Sequence, residues 1–497
     1  MNGGKQDVQY DVVIVGSGAG GSAAAWRLAR AGLRVALVEK GPDLPRDGST
    51  LDIGRVVGEG AFKSRELWLD GEGRFFRPEE YFNLGGKTRW YGAALLRYGS
   101  HEFEADAAHD CPGWPLPAAA LGGYYQEAER RLRVRSFDCE PDLARIIAGL
   151  RARAPGWRAL PLPLGLRPEI LANPAEARHF DGFASVDGLK GDAETAFLGD
   201  VRSLGNLRIL TGTAVTALTG AAGMPHRITG VQLADGRGLR ARCVVLAAGA
   251  LHSPRLLQRY LEATGLAASL PCAGQVGRNL KLHLLTAMLA IGRPRPADLI
   301  RKTALFINDA MPHSSVQPLG FDGELISTLF PRLVPRPLAR LLGAHAYGFF
   351  LQTEDGAHPD NRVIAESPAT RGLPVLDYAA ARTPAALREH RQLVRGFRRS
   401  LARIGLVAFD QRVGLAGTAH ASGTLTAGSD PRSSVVDANG QVHGMTGLCV
   451  VDGSVLPRSS RVNPSLTIYA WSLRVSDLLA ERLTREDSHD GIAKSVA

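Results

Sequence analysis

Tyr10-Asp11-Val12-Val13-Ile14-Val15 runs directly into Gly16-Ser17-Gly18-Ala19-Gly20-Gly21. An apolar strand that stops at Gly16 can turn tightly there, and Gly18 lets backbone approach a pyrophosphate. Gly21 lets the next helix pack closely on the sheet, with its N-terminal amides facing the phosphates. The helix is Ser22-Ala23-Ala24-Ala25-Trp26-Arg27-Leu28-Ala29, rich in the small residues that close packing requires. A second strand, Arg34-Val35-Ala36-Leu37-Val38, ends in Glu39, where an acid accepts hydrogen bonds from a ribose diol. Strand, glycine triplet, helix, strand and acid in this order specify a dinucleotide site on an α/β, Rossmann-like domain. They do not say which dinucleotide.

A matching signal stands near the other end. Leu448-Cys449-Val450-Val451-Asp452-Gly453-Ser454 precedes Asn463-Pro464-Ser465-Leu466-Thr467, a strand end and a helix start that return to the same ligand. Asn463 is a favoured N-cap and Pro464 suits a first helical position, so a helix is expected over 464–479. Between the two signals, residues 206–211 and 214–218 are expected strands. Residues 228–233 and 238–242 flank Asp235-Gly236 as a hairpin, and 243–250 is a buried parallel strand. Residues 121–132 are an expected helix. Residues 138–183, rich in Pro, Arg and Ala, fit no element, and 286–410 mix apolar runs with prolines as a separate domain would.

Composition sets the outer bounds. A chain of 497 residues can bury a large core in two or three domains. No apolar run is long enough to span a bilayer, and the polar leader before Tyr10 resembles no signal peptide. The five cysteines are scattered and never in CxxC pairs, so neither a disulfide framework nor a metal site is expected. The expectation is a soluble cytoplasmic protein. The net charge of +10 comes mostly from dispersed arginines. Arg391, Arg395, Arg398, Arg399 and Arg403 share one helix face opposite Leu393, Phe397 and Leu401, which describes a solvated amphipathic helix. With no nucleic-acid-binding signature beside it, no nucleic acid partner is expected.

Further motifs lie along the chain: Gly249-Ala250-Leu251-His252-Ser253-Pro254-Arg255-Leu256-Leu257, Val276-Gly277-Arg278-Asn279-Leu280, His420-Ala421-Ser422-Gly423-Thr424, and Val442-His443-Gly444. Together with the two terminal signals and in this order, they resemble the glucose-methanol-choline (GMC) family of FAD-dependent oxidoreductases. Gly92–Arg97, Trp114-Pro115-Leu116 and 190–195 are similar to the bacterial amino-sugar alcohol oxidoreductases within it. The resemblance implies FAD as cofactor. It also implies an FAD-binding domain of 1–137, 184–285 and 411–497, and an α+β substrate domain of 138–183 and 286–410 built on an antiparallel sheet.

The same resemblance makes His420 the base that removes the hydroxyl proton as hydride passes to flavin N5, with Asn463 orienting the alcohol. His252, His283 and His443 are expected to be structural. Asp452 is implied near the ribityl chain, Gly86 along the cofactor, Val215 as a backbone contact to adenine, and Pro464 at the start of a helix aimed at the flavin. Thr88-Arg89-Trp90-Tyr91 lacks the histidine that some members use for covalent attachment, so FAD is expected to be noncovalent. The loop Gly423–Gly428 lacks the Arg-Met often found there. The expected substrate is a small-molecule alcohol, a primary hydroxyl of an amino sugar, sugar or nucleoside in a biosynthetic pathway. The electron acceptor is dioxygen or another that the residues do not specify. A lyase or decarboxylase on the same fold, without net flavin redox, is the alternative.

Overall fold

The strand that ends before Gly16 spans Val8–Val15 (β1) in the computed structural model, which describes residues 8–330 and 333–496. Residues 1–7 of the polar leader lie outside the described residues. Two parallel neighbours flank β1: β2 (Val35–Val38) and β9 (Gly238–Leu246). Val12, Val13 and Ile14 are wholly buried. Burial on both faces is why this stretch is continuously apolar instead of alternating. β6 (Leu207–Leu210) extends the sheet beyond β2. β7 (Val215–Ala221) and β8 (Met224–Leu233) form an antiparallel meander with β9, and β17 (Leu448–Val450) pairs parallel to β9.

One expectation is corrected here. Residues 238–242 and 243–250 are not two strands, because β9 is one strand with two successive partners along the same edge. Its start, Gly238–Arg240, pairs antiparallel with β8, and its end, Val244–Leu246, pairs parallel with β17. The antiparallel partner and the C-terminal strand thus occupy one edge in series.

The C-terminal ends of β1, β2, β9 and β17 lie together, which brings Gly16, Glu39, Gly249 and Asp452 to one rim of the sheet. This is where open α/β sheets bind ligands. The C-terminal helix, Ser465–Val496, runs well past the expected end and packs on the N-terminal helix, Ala19–Arg30. Ser472 Oγ donates to the Gly20 carbonyl at 2.6 Å, and Trp471 Nε1 donates to Val450 O at 3.1 Å.

A second sheet is wholly antiparallel, in the order β16-β10-β13-β12-β11-β5. Its strands are β5 (Arg158–Pro161), β10 (Leu284–Ile291), β11 (Ala304–Ile307), β12 (Ser314–Pro318), β13 (Ala346–Thr353) and β16 (Val407–Arg412). Residues 138–183, which fit no element from sequence, supply a helix, Pro141–Arg153, and the edge strand β5. That helix and Pro384–Arg403 cover one face, burying Leu143, Leu150, Phe306, Phe349, Leu393 and Phe397 in one cluster. The arginine stripe of Pro384–Arg403 is exposed, as its spacing demands.

A third, small sheet was not foreseen. It joins β3 (Trp68–Asp70) and β4 (Phe75–Phe76) to β14 (Arg362–Ile364) and β15 (Val375–Asp377), stitching the first expected domain to the second. The five cysteines are unpaired, and Cys243 and Cys449 on adjoining strands come within 3.9 Å. Among the described residues no helix is long and apolar enough to cross a membrane.

Candidate active site

The glycine loop has the sterics its sequence requires. Gly16 holds φ of +100°, and a Cβ there would lie 2.5 Å from the Ala247 carbonyl oxygen. A Cβ on Gly21 would sit 1.8 Å from Gly16 O, so the helix can lie this close only with glycine at that position. At Gly18, by contrast, nothing lies within 4 Å of the Cβ position. The helix that follows has no acid in its first turn and no side chain capping its amides. An open notch beside uncapped helix amides fits the pyrophosphate of FAD.

Other expected cofactor residues surround this notch. Gly86, at φ of +55°, would place a Cβ 3.1 Å from the Gly18 Cα, so the Gly85-Gly86 turn lies directly on the glycine loop. Gly85 N donates to Ser17 Oγ at 3.0 Å. Glu39 accepts from Ser17 N (3.0 Å), Ser17 Oγ (2.6 Å) and Gly41 N (2.9 Å). Burial raises its carboxyl above the ordinary range against those hydrogen bonds. Val215 opens β7, just after a loop in which Thr213 N donates to Glu39 O at 3.2 Å. Asp452 is buried at the end of β17 and accepts from Gly249 N (2.8 Å), Ser253 Oγ and Ser454 N (2.9 Å).

Gly20 was not singled out from the sequence, yet it joins the two ends of the chain. A Cβ there would lie 2.1 Å from the Val451 carbonyl oxygen, beside Asp452. Backbone cannot yield as a side chain would. Gly20→Val is therefore expected to cost at least about 1–3 kcal/mol and to lower FAD retention. Thermal unfolding and flavin absorbance of the purified variant check this.

The structure brings His420 and Asn463 together: Asn463 Nδ2 lies 3.3 Å from His420 Nε2. Asn463 Oδ1 accepts from Gln317 Nε2 of β12 at 2.7 Å. The amide is therefore engaged with Gln317 and His420 and does not cap the helix, which begins at Ser465 after Pro464. The antiparallel sheet fixes this segment further, because Ser315 Oγ and Gln352 Nε2 both donate to Arg461 O, at 2.7 and 2.6 Å. On the other side, Lys87 Nζ donates to Thr418 O at 2.9 Å, two residues before His420. The antiparallel sheet thus holds the Asn463 segment, while Lys87, from the turn Gly86–Arg89, holds the loop that carries His420.

Burial first, then the neighbouring His283, Lys302 and Lys87, hold the His420 imidazole well below the usual histidine range. His420 is neutral at neutral pH and able to accept a proton. His283, expected to be structural, instead touches the pair: its Nδ1 is 3.0 Å from His420 Nδ1. Its other nitrogen, Nε2, lies 2.7 Å from the Ser460 carbonyl oxygen. No spacing rule could reveal this contact, since 137 residues separate the two histidines. His252 and His443 do not join the site; His252 bonds Arg255 and His443 bonds Ser434.

Comparison with known proteins identifies the family. A family described as FAD dependent oxidoreductase matches residues 11–309, and GMC oxidoreductase matches residues 357–472. The chain is 30% identical to paromamine 6′-oxidase of Streptomyces fradiae, over 97% of this chain and 94% of that protein. It is 30% identical to 6‴-hydroxyparomomycin C oxidase of Streptomyces lividus, over 97% of this chain and 93% of that one. Pyridoxine 4-oxidase from Mesorbium loti has a similar fold, with a TM-score of 0.65 over 94% of this chain and 98% of that chain at 21% identity. The chain belongs to the GMC oxidoreductase family, and it is an FAD-dependent enzyme of alcohol oxidation.

Proposed function

We propose that the protein oxidises a primary hydroxyl of an amino sugar in a biosynthetic pathway, with His420 as general base and Asn463 orienting the alcohol. The observation that carries the chemistry is the 3.3 Å contact between Asn463 and a neutral His420. The substrate class is supported by two relatives whose names are those of aminoglycoside oxidases.

FAD, when bound, supplies the hydride acceptor at N5. Gly16, Gly18 and Gly21 would admit its pyrophosphate, Glu39 would hold the ribose, and Asp452 would hold the ribityl chain. Gly86 and Val215 would line the remaining path, and Pro464 precedes the helix whose positive end would favour negative charge on the reduced ring. With no histidine among Thr88-Arg89-Trp90-Tyr91, attachment is noncovalent. His420 takes the hydroxyl proton, so the oxygen's electrons can form the carbonyl as the carbon gives up its hydride. Asn463 fixes the alcohol oxygen beside that nitrogen, because its amide is itself pinned by Gln317. Lys87 and Lys302, which help to lower His420, are each paired with a carboxylate, Glu80 and Asp181 respectively.

Anaerobic mixing with amino sugars, nucleosides and simple alcohols, followed by flavin absorbance, tests this proposal. Bleaching by an amino sugar with a free primary hydroxyl is expected. Bleaching by simple alcohols alone would remove the amino-sugar assignment, and readmitted air then reports whether dioxygen is the acceptor.

A further inference from the structure

We propose that His283 sets the tautomer of His420, leaving the lone pair of His420 Nε2 in front of Asn463 to receive the alcohol proton. This inference rests on His420 being the base. It starts from an atom with no ambiguity, the Ser460 carbonyl oxygen, which can only accept. His283 Nε2 lies 2.7 Å from that oxygen and must therefore carry a hydrogen. A neutral imidazole has one N–H, so His283 Nδ1 bears a lone pair. His420 Nδ1 stands 3.0 Å from that lone pair and must donate to it. The hydrogen of neutral His420 is then on Nδ1, and its Nε2 is bare. Asn463 Nδ2, at 3.3 Å, is the donor such a nitrogen requires.

The relay is built to stay in place. His283 is buried, and burial keeps it below the ordinary histidine range and hence neutral. Its backbone and that of Ser460 both adopt the left-handed region, at φ of +62° and +66°, which non-glycine residues seldom occupy. Ser460 is gripped from both sides: its N–H donates to Glu354 Oε1 at 3.0 Å and its Oγ to Glu102 Oε1 at 2.6 Å. The carbonyl that orients His283 therefore cannot turn away. In the reaction the alcohol O–H bond breaks, the proton joins His420 Nε2, and the oxygen keeps the electron pair. A hydrogen already on Nε2 would block that transfer, and the acceptor on His283 prevents it.

His283 is thus a positioning residue. In the holoenzyme, His283→Leu should retain FAD and near-parental KM, but slow anaerobic flavin reduction by about 10- to 100-fold. His283→Asn offers a carbonyl oxygen where Nδ1 stood and should restore most of that rate. A parental rate in His283→Leu, or equal losses in both variants, would overturn the proposal. If His283→Leu fails to fold, nitrogen NMR of the ¹⁵N-histidine holoenzyme reads the tautomer directly, with His420 assigned by its loss in His420→Gln. An unprotonated Nε2 supports the relay, and a protonated Nε2 sinks it. Full activity in His420→Gln would instead mean that the base assignment has failed.

Discussion

His420→Gln is expected to keep FAD bound and to slow flavin reduction by about 10²–10⁴-fold, the range over which a positioned general base acts. FAD binding should survive because the notch at Gly18, the Glu39–Ser17 contacts and Asp452 belong to the first sheet, whereas His420 follows the strand β16 of the second. Stopped-flow reduction of the reconstituted variant checks the rate, and its visible spectrum checks retention.

The pH dependence of the parent enzyme has a definite sign. A base works when deprotonated, and burial together with His283, Lys302 and Lys87 pushes the His420 value down. The reduction rate should therefore hold steady as pH falls through about 6.5, where free histidine titrates. It should drop only once pH passes the lowered value. A rate that halves at the ordinary histidine value would show either that His420 is not lowered in this way or that another group is the base.

Glu354→Leu should destabilise the fold by about 3–5 kcal/mol, the cost of leaving a buried charge without its partner. Glu354 is wholly buried and would be raised by burial alone. The Arg458 Nε contact at 2.9 Å, the Arg458 Nη2 contact at 2.6 Å and His313 Nδ1 at 2.8 Å together bring it below the usual carboxylate range. Because its folded value is lowered, this contribution is complete above about pH 4.3 and is lost as pH falls through the folded value. Adding Arg458→Met should recover part of the loss, since both charges then leave the interior. Denaturant unfolding of both single variants and the double variant measures the coupling. Additive losses would mean that the pair is not the source of the effect. Since Glu354 also holds Ser460 N, the single variant should reduce flavin more slowly than its stability alone would explain.

Some of this architecture was legible before any coordinates. The βαβ unit from Val8 to Val38 was, because a twice-buried strand is continuously apolar and a glycine turn is local sterics. Gly16, Gly18 and Gly21 each behave as their positions in the motif demand. The hairpin at Asp235-Gly236 and the amphipathic helix Pro384–Arg403 were legible for the same reason, since periodicity and turn chemistry act within a few residues. The pairing of His420 with Asn463 came from resemblance; no spacing contained it.

By itself, then, the amino-acid order determined what each short stretch must be: a pyrophosphate turn, a buried strand, an imidazole in one loop and a carboxamide ahead of a helix. Only the tertiary structure decided which of these meet. It set β17 beside β9, placed Gly20 against Val451, set Gln317 on Asn463 and laid His283 on His420. Those contacts join residues more than a hundred positions apart, and a chain's local preferences carry no record of where such distant segments cross.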